Sequence, residues 1–274
     1  MRQLEVQARR PWWRWVYRTG LDVSDVVSVE SSEMQKRFVA FMGRCRVCSI
    51  PRVALVPSCG FDLETVLARQ PLPGAAELDL LYVGRLGPWQ KATDVLLEGY
   101  RLLRESHRLE ASLHLVGRCD KEFDSLLTAW RRRVEPATAA GLKIHGPVAD
   151  RAELMELYWI AKAFVIASRY EGIPNVVAEA ASCGCLLVAT PVGQVPDMLR
   201  AGAQGWLVPI DDALRLADGL AEALRHADHH EARLRRIQAF KRVYSWPDVI
   251  DYLVDILKAG RASRTGGPAV QGGM

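Results

Sequence analysis

From residue 78 onward the apolar positions follow two alternating periods. Leu78–Val83, Ser112–Val116, Leu142–His145, Ala163–Ala167, Leu186–Ala189 and Trp206–Val208 are short, nearly continuous apolar runs. Runs of that kind predict strands buried on both faces. Between them, apolar residues recur at helical spacing. Leu96, Leu97, Tyr100 and Leu103 mark one face of a helix expected over Thr93–Leu109, with Thr93 as its N-cap. Further helices are expected near 122–133, over 151–160, from Pro174 to about Ser182, and near 196–200. Strand–helix alternation predicts a Rossmann-like, doubly wound parallel α/β sheet. Residues 211–258 are helical in pattern throughout, broken at Ser245-Trp-Pro247, with Pro247 in the first turn of a last helix.

The flanks read differently. Val26–Val29 and Val53–Val56 are candidate strands, Glu33–Met42 a candidate helix, and Pro71-Leu-Pro-Gly74 a loop or linker. Residues 259–274, rich in Gly, Ser and Ala, read as a disordered tail. Three parts are therefore expected: a partial N-terminal segment over 1–56, the main α/β domain over 57–258, and the tail.

Charge and composition remove several classes. With 36 basic and 32 acidic residues the net charge is +4, too mild to indicate nucleic acid. No run approaches the roughly 18 apolar residues of a membrane span. The N-terminal arginines precede no apolar stretch of the secretory type. Six cysteines scattered over 274 residues are no disulfide framework, so a cytoplasmic protein with reduced thiols is expected. Cys45-Arg-Val-Cys48 has the spacing of half a zinc site, without a second half of matching spacing, and no metal is expected. Residues 9–18, with Trp12, Trp13, Trp15 and several arginines, admit two readings. One is a helix whose aromatics pack inward; the other is peripheral contact with an anionic membrane face.

Open α/β sheets bind ligands beyond the carboxyl ends of their strands, so the loops there carry the candidate chemistry. After the first strong strand comes Gly84-Arg-Leu-Gly-Pro-Trp-Gln-Lys91. Gly84 permits close backbone approach. Arg85 and Lys91 place two cations at one sheet edge, which suits a diphosphate, and equally fits an exposed loop. After the strand at Ala163–Ala167 comes Glu171-Gly-Ile-Pro-Asn-Val-Val-Ala-Glu179. Pro174 opens a helix whose first amides favour an anion. Glu179, among Val176 and Val177, needs a partner if buried.

Two glutamates with seven residues between them, and Gly-x-Pro after the first, resemble the signature of the retaining glycosyltransferases of the GT-B fold, family 4 (glycosyl transferases group 1). The neighbouring text agrees in order: Leu81-Tyr-Val-Gly-Arg-Leu86 with Lys91, His114-Leu-Val-Gly117, Ile144-His-Gly146, Glu179-Ala-Ala-Ser-Cys-Gly184, Gly205-Trp-Leu-Val-Pro209 and Ser245-Trp246. The resemblance spans roughly residues 20–258. It implies that Arg85 and Lys91 hold the donor diphosphate and stabilise the leaving group, aided by amides near Asn175 and Val176. It implies that Glu171, followed by Gly172, meets the transferred sugar, that Glu179 binds the ribose hydroxyls, and that Gly117 and Val148 border the base. Arg85, Lys91 and Glu171 would be the catalytic set, acting on a nucleotide-diphosphate sugar without metal. The chain departs from the family pattern at Ala92 and Gln194, each where the family has glycine, and at Leu186, Asp197 and Ser58-Cys59.

The family's N-terminal acceptor domain is expected to be mostly absent here, leaving a gene fragment, a late start at Met1, or one subunit whose acceptor-binding half is a separate chain. Half a cleft cannot orient an acceptor. A non-catalytic nucleotide-sugar-binding module is the alternative function. A nucleotide-sugar epimerase of similar fold fits the glutamate pair less well, and a nicotinamide dehydrogenase lacks its Gly-x-Gly-x-x-Gly.

Overall fold

The computed structural model describes Thr19, Leu21, Ser24 and residues 26–45, 52–56, 63–68, 77–227 and 230–264. The aromatic segment 9–18, Cys48, the linker 71–74, the Ser58–Asp62 stretch and residues 265–274 lie outside these. The chain divides into two units: Cys59–Ser245, and Met1–Ser58 together with Trp246–Met274.

The larger unit holds a six-stranded, all-parallel sheet. Its strands are β3 (Leu78–Val83), β4 (Leu113–Val116), β5 (Leu142–Gly146), β6 (Ala161–Ile166), β7 (Leu186–Ala189) and β8 (Gly205–Leu207), in the order β5-β4-β3-β6-β7-β8. Its helices are α2 (Leu63–Ala68), α3 (Thr93–Glu105), α4 (Lys121–Arg131), α5 (Pro136–Gly141), α6 (Arg151–Ile160), α7 (Asn175–Ser182), α8 (Val195–Arg200), α9 (Ala213–Arg225) and α10 (His230–Tyr244).

Side chains of each central strand alternate between two cores. Leu80, Tyr82, Ala163, Val165, Leu186 and Val188 face α3 and α9, against Leu96, Tyr100, Leu216 and Leu220. Leu81, Val83, Phe164, Ile166, Leu187 and Ala189 face the side of α6, α7 and α10, against Tyr158, Trp159, Val177, Ile237 and Phe240. Both faces are covered, which is why these strands read as unbroken apolar runs. Asp120, Asp150 and Asp212 cap α4, α6 and α9 by accepting from the amides of Phe123, Ala152 and Arg215.

On the far side from the loops of interest, α10 clamps two helix ends. Arg233 donates to the carbonyls of Trp159 and Ala161, and Arg236 Nε donates to Gly184 O at 2.8 Å. Trp159 is in the last turn of α6 and Ala161 is its C-cap, while Gly184 follows the C-cap Cys183 of α7, so a cation stands near the negative end of each helix. Cys183 and Cys185 are buried there among Met155 and Tyr158. Burial raises both thiols above their ordinary range.

The smaller unit has β1 (Val26–Val29) parallel to β2 (Arg52–Leu55), α1 (Ser32–Cys45) and α11 (Trp246–Arg264). Ser31 Oγ accepts from Met34 N at 3.2 Å and starts α1. Ala54, Val56 and Ile256 form one buried cluster in it, and Val29, Phe41 and Met42 are buried too. Here the structure corrects the expected boundaries. The sheet unit ends at Ser245, not 258, because α11 packs on β1. Residues 259–264, read as tail, continue α11.

Other corrections are local. Ala92, not Thr93, is the N-cap position of α3, in the left-handed conformation (φ 48°) and with no side-chain cap bond. Thr93 is the first helical residue, fully buried, with Oγ1 lacking a partner. The short helices α2 and α5 carried no sequence signal. No helix among the described residues is long and apolar enough to cross a membrane.

Candidate functional site

The chain runs outward from β3 to β4 and β5, then returns to place β6 on the other side of β3. That reversal opens a crevice at the carboxyl ends of β3 and β6. The loops leaving those two strands are 84–92 and 167–174, the same two that carry the candidate charges.

The crevice floor is a row of glycines at successive strand ends. Gly84 N donates to Val116 O at 2.9 Å, and Gly117 N to Gly146 O at 2.8 Å. A Cβ on Gly117 (φ +146°) would lie 1.9 Å from Gly84 O, so no side chain fits between the strand ends. Val148 follows in the loop after β5, half-buried on the core. Gly84 and Gly117 thus stand side by side at neighbouring strand ends.

Above it Lys91 Nζ donates to Glu171 Oε1 at 2.6 Å. Both are largely buried, with side chains 18% and 8% exposed. Ser168 Oγ donates to the same oxygen at 2.7 Å, and Ser168 O accepts from Thr190 Oγ1 at 2.6 Å. Arg85, on the same loop, remains at the surface, its Nη2 3.3 Å from Gln90 Oε1. Below it Tyr82 Oη donates to Arg85 O at 2.9 Å. Burial, then the nearby Glu171 carboxylate, raise that phenol far above its ordinary range, so it serves only as a neutral donor. The site therefore brings together a cation, a carboxylate and a second, exposed cation bonded to Gln90.

Glu179 lies on the adjoining helix α7. Its Oε2 accepts from Tyr158 Oη and its Oε1 from Arg151 Nη1, each at 3.0 Å. The partner its apolar surroundings require is thus present, supplied twice from α6. Pro174 stands at the N-cap of α7 with no side-chain cap bond. One detail differs from expectation: the Asn175 amide is already engaged, donating to Ile173 O at 3.0 Å. Val176, next in that turn, packs its side chain on the core. Gly172 is exposed, and its carbonyl meets Gly193, where a Cβ would come to 2.0 Å (φ +54°). Gln194, where the family has a second glycine, sits at φ −82° and needs none.

Arg169 is the residue that sequence reasoning passed over. Its guanidinium donates to the carbonyls of Pro88 and Trp89, to both oxygens of Asp94 on α3, and to Asp211 Oδ1 at 2.6 Å. Its amide donates to Gln90 O at 2.9 Å, and Gln90 Nε2 returns a bond to Tyr170 O at 3.3 Å. Arg169 therefore straps loop 84–92 to loop 167–174 and fixes Lys91 opposite Glu171. Its position beside Ser168 and Glu171 was its only signal. Two large aromatics, Trp89 and Tyr170, stand 79% and 61% exposed on the strapped loops.

Among solved structures, sucrose-phosphate synthase from Thermosynechococcus elongatus matches with a TM-score of 0.66 at 23% identity, covering 94% of this chain and 64% of that one. Anabaena HepE in complex with UDP matches with a TM-score of 0.65 at 17% identity, covering 86% and 64%. The fold is thus that of the GT-B glycosyltransferases. Residues 77–226 match the family model Glycosyl transferases group 1, and the chain belongs to that family. A curated relative, D-inositol 3-phosphate glycosyltransferase from Frankia alni, is 32% identical over 185 residues, 64% of this chain and 45% of its own length. The chain thus spans about half the length of that relative.

Proposed function

We propose that the chain is the donor-binding half of a retaining glycosyltransferase of family 4, taking a nucleotide-diphosphate sugar as donor. Lys91 against Glu171 at the switch point carries this reading. A diphosphate entering the crevice draws Lys91 and Arg85 to its oxygens and releases Glu171 to the sugar. The bond from the anomeric carbon to the β-phosphate oxygen breaks, and the electron pair stays on that oxygen. Two cations in a partly buried site stabilise the growing negative charge without a metal. The acceptor hydroxyl oxygen bonds to the same face of the anomeric carbon and its proton leaves with the diphosphate. Glu179 takes the ribose hydroxyls, and Gly117 and Val148 border the base. UDP bound to HepE supports a nucleoside diphosphate as the ligand class here.

The acceptor surface in this proposal comes from a second body of protein, either a further domain or a separate subunit. Calorimetric titration with UDP and with GDP tests the donor half on its own. Micromolar binding of one of them is expected, and heat from neither overturns the proposal.

A further inference from the structure

The two donors to Glu179 differ in accessibility. Tyr158 is 1% exposed and reaches Oε2 from inside the core. Arg151 has a side chain 71% exposed and reaches Oε1 from solvent. They lie two turns apart on one face of α6, so the same helix supplies a fixed donor and a loose one. Burial, reinforced by the Glu179 carboxylate, keeps the Tyr158 phenol well above its ordinary range, and it remains a donor throughout the neutral region. A carboxylate held through one oxygen has its other oxygen aimed. An exposed ion pair is weak and readily exchanged, whereas a buried bond to a charged group is not.

We propose that Tyr158 is a positioning residue for nucleotide recognition: it holds Glu179 through Oε2, so that Oε1 faces the ribose diol, and Arg151 is the placeholder that the diol displaces. This rests on the reading of Glu179 as the ribose acceptor.

The test uses the full chain, UDP and GDP, and their 2′,3′-dideoxy counterparts, by calorimetry. The wild type is expected to favour the ribonucleotide by roughly tenfold or more. Glu179→Gln should remove most of that preference, and Tyr158→Phe should cut it by about threefold while leaving affinity for the dideoxy nucleotide near wild type. A wild type that binds neither nucleotide, or does not discriminate the diol, overturns the reading of Glu179 and this inference with it. Loss of discrimination in Glu179→Gln but full retention in Tyr158→Phe leaves that reading standing and overturns the role of Tyr158. Should Tyr158→Phe lose its cooperative melt, Arg151→Ala decides. With the placeholder gone, the preference for the ribonucleotide should rise about threefold; a fall overturns the inference.

Discussion

Lys91 and Glu171 stand 80 positions apart in the chain, and the fold brings Nζ to 2.6 Å from Oε1. The contact joins loops from neighbouring strands on either side of a topological switch. The cation and the carboxylate satisfy one another there.

Removing one member of that pair leaves the other buried without its counter-ion. Lys91→Met should destabilise the larger unit by about 2 kcal/mol, and Lys91→Met with Glu171→Leu should cost less than Lys91→Met alone. Urea midpoints read the comparison. Both variants should also lose at least tenfold in nucleoside-diphosphate affinity, because phosphate loses its buried cation.

Arg169→Met should loosen the two loops while the sheet stays intact. Amide exchange at residues 89–92 and at position 169, whose N–H bonds to Gln90 O, is expected to accelerate about tenfold, with β6 and β7 unchanged. Arg169→Lys should not restore protection, since one ammonium cannot meet Asp94, Asp211 and two carbonyls at once. Wild-type exchange in Arg169→Met would show that the strap is dispensable.

Gly117→Ala and Gly193→Ala should each cost on the order of 3 kcal/mol, measured by thermal and urea unfolding. In both, the added Cβ comes to 1.9 or 2.0 Å from a backbone carbonyl oxygen, far inside van der Waals contact, and not against a side chain that could turn away. Loss of a few tenths of a kcal/mol would contradict this close packing.

Asp79 gives a pH dependence at the opposite end of β3. Burial alone would raise its carboxyl, but bonds from Ser112 and Lys162 outweigh this, and its pKa lies below the ordinary 3.8. A depressed folded-state pKa stabilises the native state above 3.8, and that contribution disappears as pH falls through the folded value. The stability gap between wild type and Asp79→Asn should therefore be constant from pH 7 to about 5 and shrink below 3.8. Urea midpoints at pH 6, 5, 4 and 3 check it; a gap that widened in acid would reverse the assignment.

The sheet was legible because burial on both faces writes strands as apolar runs: α6 and β7 begin and end where periodicity put them. The short helices α2 and α5 escaped because six residues hold too little period to see. Of the site, the charges were legible as residue types on the right loops. That Lys91 pairs with Glu171, or that Arg169 straps their loops, depends on strand order, which spacing along the chain does not encode. The two departures from the family's glycines resolved in opposite ways. Gln194 sits at a φ open to any residue, whereas Ala92 holds the left-handed conformation that glycine would adopt without strain.

The clamp formed by Arg233 and Arg236 has a practical consequence for anyone trimming the chain. The family match stops at residue 226, yet α10 lies beyond it and grips the ends of the helices that carry Tyr158 and Glu179. A piece cut at 226 would strip Ile237 and Phe240 from the core and leave those helix ends without their arginines. The compact sheet unit runs through Ser245, some twenty residues past the end of the family match.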